Sequence, residues 1–245
     1  LRPELDRKIG LTIAFFCAGV PSTQGTLDLL RHVGVEDPAT VESLRYRGNG
    51  WPGRWTVRFR DRAGSIQERS LSYEESWGFL TKYKQWRCKI CPDHTGEFAD
   101  IAVGDPWYRR PEGHEYGRSL ILARTQLGRD LLHKAISIGH IVCNQQNYTI
   151  LDASQTSLLH SKASTWGRLA ACWCMGLTVP RYRGLSLLSL WVGRLSLVEK
   201  ARSLFGTTVR IIRRKLRYRA SMPPPQGFEL SPDVSFCASD TQRLE

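Results

Sequence analysis

From Ile9 to Phe16 the chain reads Ile-Gly-Leu-Thr-Ile-Ala-Phe-Phe, a nearly unbroken apolar run leading straight into Cys17, Ala18 and Gly19. A run of that length and composition predicts a β-strand buried on both faces. Ser22 or Thr23 then caps a helical pattern carrying Leu27, Leu29, Leu30 and Val33, which Gly34 stops. Strand, loop and helix in that order leave Cys17 at the carboxyl end of the strand, where open α/β sheets gather their ligands.

The following segments keep mixing the two periods. Val41 to Tyr46 reads as a strand, and Trp55 to Arg60 with Ile66 to Leu71 as an antiparallel hairpin turning at Asp61 to Gly64. Glu74 to Trp86 is helical and runs into Cys88, Ala99 to Val103 and Ser119 to Arg124 are strands, and Gly128 to Gly139 is an amphipathic helix. This order predicts an α/β (or α+β) fold with a mixed sheet flanked by helices. Beyond it Leu158 to Met175 and Leu185 to Arg219 read as helices, and Met222 to Glu245 as a polar, proline-started disordered tail. The expected division is therefore a domain over residues 1–157, a basic helical appendage over 158–221 and a tail over 222–245.

Charge narrows the function. The net charge is +12, yet Arg181 to Arg219 alone holds eleven Lys and Arg against one acid, Glu199, so the cysteine-bearing part is nearly neutral. The basic segment is interleaved with Leu, Trp and Ile and carries no nucleic-acid motif, so nucleic-acid binding is not expected. Contact with an anionic membrane surface or an acidic partner through 185–219 is open to it, although a run of this kind is usually only a solvated helix face. No segment has the length and apolarity of a membrane span, since Leu185 to Val198 is short and contains Arg194. Seven cysteines, an odd number in a chain without secretory features, favour thiol or metal chemistry over a disulfide framework and a reducing, cytoplasmic setting.

Arg87-Cys88-Lys89-Ile90-Cys91-Pro92-Asp93 is the sharpest local motif. Two thiolates three positions apart can chelate one iron or zinc centre while intervening N–H groups point at sulfur. On spacing alone, metal stands about even with a redox disulfide or chance. Thioredoxin-like use is disfavoured because the pair follows a helix instead of joining a strand to one. Cys17 is the natural third ligand; Cys143, Cys172, Cys174 and Cys237 read as buried or incidental. In Arg47-Gly48-Asn49-Gly50-Trp51-Pro52-Gly53 an arginine and an indole stand among glycines, which suits phosphate and ring contacts or simply a tight turn. Ala99 to Trp107 sets Asp100 before a strand and Asp105 after it, where a carboxylate can accept from a ribityl hydroxyl or merely cap a turn.

In this order these segments, with Phe16 to Gly19 and Ser119 to Thr125, resemble the coenzyme F420 hydrogenase/dehydrogenase beta-subunit family over about Ile9 to Ile141. The resemblance implies FAD, a 4Fe-4S cluster and electron transfer with a reduced carrier, coenzyme F420 or ferredoxin, within possible multi-subunit partners. It implies cluster ligation by Cys17, Cys88 and Cys91, and flavin contacts from Arg47, Gly48, Gly50, Asp105, Trp107, Ser119 and Arg124. It implies no catalytic acid or nucleophile. The family's fourth cysteine lies in a Gly-x-Pro-Cys motif just before the first strand, so the sequence is expected to be a fragment lacking that ligand and a ferredoxin-like segment. A zinc-stabilised, non-enzymatic binding module with a basic interaction surface is the alternative.

Overall fold

The computed structural model describes residues 7–109 and 117–217. The strands divide between two three-stranded sheets, one mixed and one antiparallel, and helices pack around both, giving a mixed α/β fold.

The antiparallel sheet is a meander of β2 (Val41–Arg45), β3 (Arg54–Arg60) and β4 (Ile66–Ser72), with β3 in the middle. Alternation along β3 sends Trp55, Val57 and Phe59 inward. Helices α1 (Thr23–His32) and α2 (Tyr73–Leu80) meet that face with Leu29, Leu30 and Leu80, and Val35 completes the core. A capping box starts α2: Ser72 Oγ accepts from the Glu75 N–H, and the Glu75 carboxylate accepts from the Ser72 N–H. The helical pattern expected over Glu74 to Trp86 breaks into α2, a 3-10 turn and the single turn α3 (Trp86–Lys89), which carries Cys88.

The mixed sheet has the order β1 (Ile13–Phe15), β5 (Ile101–Gly104), β6 (Leu120–Ala123). β1 runs parallel to β5, with Phe15 opposite Val103, and β6 runs antiparallel, with Gly104 opposite Leu120. The expectation of a first strand buried on both faces fails here. β1 is shorter than the apolar run and lies at an edge, so Phe15 is 74% exposed and Ile13 is exposed as well. The Asp100 carboxylate fastens the start of this sheet. It accepts from the Thr12 N–H (2.8 Å) and hydroxyl (2.6 Å), and from the hydroxyl of Thr125 (2.6 Å), the N-cap of α4 (Gln126–Ser137).

Two helical patterns each divide. The first becomes α5 (Ile150–Ala163) and α6 (Thr165–Cys174), joined at Ser164; the second becomes α7 (Leu187–Arg194) and α8 (Leu197–Arg213), where Ser196 and Glu199 form a second capping box. The domain boundary expected at 157/158 falls inside α5, and the tail expected over 222–245 lies outside the described residues. α6 and α8 pack closely: a side chain on Gly167 would run into Ser203, whose hydroxyl accepts from the Trp191 indole (3.0 Å).

Candidate functional site

Two groups of side chains stand at one edge of the mixed sheet. Because β1 and β5 are parallel, their carboxyl ends coincide, and Cys17 leaves one strand as Asp105 leaves the other. Phe16 holds the strands together through its N–H to the Val103 carbonyl (2.8 Å), and its ring covers Gly104 so closely that no side chain fits there.

The first group centres on Asp105. Arg47 donates to both carboxylate oxygens (2.7 and 3.3 Å) and through Nε to the Pro52 carbonyl (2.8 Å), while the Trp51 indole donates to Asp105 (2.9 Å). The guanidinium stands over the rings of Tyr73 (5.2 Å) and Trp107 (5.8 Å), and Trp107 packs against both Trp51 and Tyr73. Burial pushes the Tyr73 phenol up. Gln155, at the non-helical kink of α5, donates to the Asp105 carbonyl (2.6 Å). The glycine turn thus closes onto the strand end by a bidentate ion pair in an aromatic enclosure. Gly50 (φ +101°) and Gly53 (φ +87°) take backbone conformations that side chains disfavour, and no atom of the described residues stands within 4 Å of where a side chain on Gly50 would begin.

Arg47, Asp105 and Trp107 therefore come together. Gly48 and Gly50 lie in the same turn, although Gly48 is accounted for by Arg45 packed where a side chain would stand. Ser119 follows a segment passing close over Trp51, since a side chain on Gly117 would come within 2.5 Å of it, and so sits at the Asp105 end of β6. Arg124 lies at the opposite end of β6 and donates instead to the Thr95 carbonyl (3.0 Å), just beyond the cysteine motif. Asp105 and Arg47, expected to meet ribityl hydroxyls and phosphate, spend most of their hydrogen bonds on each other; Arg47 keeps further N–H donors.

The second group is the cysteine loop. The Val20 N–H donates to Cys88 Sγ (3.3 Å), and the Cys17 N–H donates to the His94 carbonyl (2.9 Å). His94 is 4% exposed; its Nδ1 donates to the Cys17 carbonyl (2.9 Å) and its Nε2 is buried without a partner among the described residues. Burial pushes the Cys91 thiol up, with smaller contributions from the charges of Asp93, Cys17 and Cys88, and the backbone just after Cys17 runs close to the loop, since a side chain on Gly19 would meet Lys84 and Cys88. Cations crowd it. Burial pulls Lys84 down while Cys88 and Cys17 hold it up, Lys89 falls to about 8 through burial and the charges of Lys84, Arg210, Arg168 and Arg214, and Arg168 falls to about 10. The helices supply part of this frame: Arg168 donates to the Lys89 carbonyl (2.8 Å) and Thr165 to that of Cys91 (3.4 Å).

The donor chemistry suits a thiolate-bound anionic centre, with three sulfurs, an N–H aimed at one of them and excess positive charge nearby. Among the described residues no three or more His, Cys, Asp or Glu side chains stand close enough to hold a metal ion, so the set is loosely arranged and short of a complete ligand shell. Cys143 and Cys174 are exposed and Cys172 is buried.

Sequence reasoning allowed Trp51 a ring contact but did not nominate Tyr73, Lys84, Lys89, His94, Gln155 or Arg168 as site residues. His94, three positions after Cys91, carried a local signal; Gln155 and Arg168 carried none, because their partners lie far away in sequence. Residues 1–147 match the family model for the C terminus of the coenzyme F420 hydrogenase/dehydrogenase beta subunit. No curated protein matches the chain.

Proposed function

The chain belongs to the family of coenzyme F420 hydrogenase/dehydrogenase beta subunits, and from that premise we propose a flavin- and iron–sulfur-dependent member of a cytoplasmic redox complex. In this reading it passes electrons between a reduced carrier, coenzyme F420 or a ferredoxin, and a separate acceptor. A bound FAD supplies hydride chemistry there and a 4Fe-4S cluster supplies one-electron exchange. The supporting observation is that the strand end bearing Cys17 and the loop bearing Cys88 and Cys91 are tied together beside a half-buried cation: the Cys17 N–H donates to the His94 carbonyl, the Val20 N–H to Cys88 Sγ, and Arg168 to the Lys89 carbonyl.

Each group has a part in this reading. Cys17, Cys88 and Cys91 bind iron, with a fourth ligand that the described residues do not gather beside them. Lys84, Lys89 and Arg168 place positive charge beside the loop, which offsets the charge of a thiolate-bound centre. Trp51, Tyr73 and Trp107 offer flat apolar surface for a ring system and exclude water; the remaining donors of Arg47 and the Ser119 hydroxyl orient it. Gly48 and Gly50 shape the turn that brings Arg47 to Asp105, and Arg124 positions the segment after Cys91.

The test is anaerobic purification of the full-length protein with iron, acid-labile sulfide, flavin and zinc determined together. Iron and sulfide with FAD are expected, and Cys88→Ala should lose the iron while far-UV circular dichroism is retained. Zinc without iron or flavin would overturn the proposal in favour of a zinc-stabilised binding module.

A further inference from the structure

Helix α8 buries Ser203 and Thr207 while it leaves several large apolar side chains exposed. Ser203, Thr207 and Ile211 face inward against α6, with Thr207 1% exposed. On the outside, Phe205 is 70% exposed, Val198 67% and Ile212 63%, and Val209 is exposed as well. At roughly 100° per residue these four fall within one narrow stripe along nearly the whole helix. Arg202 and Arg213, both exposed, border it. An amphipathic helix serving only its own fold would turn Phe205 and Ile212 inward and Ser203 and Thr207 outward.

The charge around the stripe selects what covers it. With eleven Lys and Arg against Glu199 over Arg181 to Arg219, a second copy on this face would set like charges against each other. The occupant is therefore anionic. It must also take up a convex apolar ridge, which a bilayer does by rearranging its lipids, without a preformed groove. A polar face rich in Arg beside a Phe-, Val- and Ile-bearing stripe is the pattern of helices lying in a membrane interface. No helix among the described residues is long and apolar enough to cross a membrane, so this helix would lie along it.

We propose that α8 docks the protein onto an anionic lipid bilayer, with Val198, Phe205, Val209 and Ile212 seated at the boundary of headgroups and acyl chains and Arg202 and Arg213 against lipid phosphates. The full-length protein is mixed with vesicles of phosphatidylcholine alone or containing phosphatidylglycerol and separated by flotation. Binding is expected on the anionic vesicles, weak on the neutral ones and reduced by salt. Replacing Phe205 and Ile212 together by Ser should lower partitioning roughly tenfold or more, and Arg202→Gln with Arg213→Gln should remove most of the preference for anionic lipid. Circular dichroism monitors folding of both variants. A protein that stays in solution with anionic vesicles at low salt overturns the proposal. Equal flotation of the Ser variant does too, as does a dimer that the Ser variant dissociates while no vesicle binding occurs.

Discussion

Asp100 shows how much one side chain holds. Its carboxylate ties Thr12, before β1, to Thr125 at the start of α4, and the Thr12 hydroxyl, followed by the Thr125 hydroxyl, holds its pKa below the ordinary carboxylate range. A carboxyl depressed in the folded state stabilises the protein fully above its unfolded value, near 4, and loses that contribution as pH falls through the folded value. Asp100→Asn should therefore be less stable than wild type at neutral pH, with the gap closing below about pH 4 in urea titrations. Trp55 poses the opposite case, a fully buried ring whose Nε1 has no partner among the described residues. Trp55→Ala should cost about 3–5 kcal/mol. Trp55→Phe removes an unpaired donor along with some volume and should stay within about 1.5 kcal/mol of wild type in chemical denaturation.

Individual elements respond to different forces. Gly128 lies in the first turn of α4, where a methyl group would meet the Asp100 carbonyl. Alanine is the better helix former by about 1 kcal/mol, but a backbone clash costs about 1–3 kcal/mol, so Gly128→Ala should lower the melting temperature. Ser196→Ala removes the capping box that starts α8 and should cost about 1 kcal/mol in the same assay. The sequence was most legible where one strand decides its own packing: the alternation of Trp55, Val57 and Phe59 marks β3 and its inward face. It was least legible at β1, because apolar residues mark a strand without saying whether a neighbour covers it. The helical runs hid their breaks, as apolar spacing continues through Ser164 and Ser196. For the site, Cys17 and the Cys88–Cys91 loop were readable from local motifs, whereas the Asp105 enclosure needed Trp51 and Tyr73 brought together by the meander.

In the whole molecule, the C-terminal helices bear directly on the site. Beyond Arg168 and Thr165 on the cysteine loop and Gln155 on Asp105, Lys162 pairs with Glu97 and Arg214 reaches the Lys82 carbonyl (3.4 Å). A chain ending after residue 147 keeps the whole span matched by the family but loses all of these contacts. Its Cys88 and Cys91 thiols should react faster with iodoacetamide than in the intact protein, and its denaturant midpoint should fall. The bond from Arg168 to the Lys89 carbonyl therefore bears on how such proteins can be recombined. A graft of residues 1–147 into another protein would carry the sulfur donors without the guanidinium that closes their loop, so the unit that family similarity outlines is smaller than the unit that can be exchanged intact.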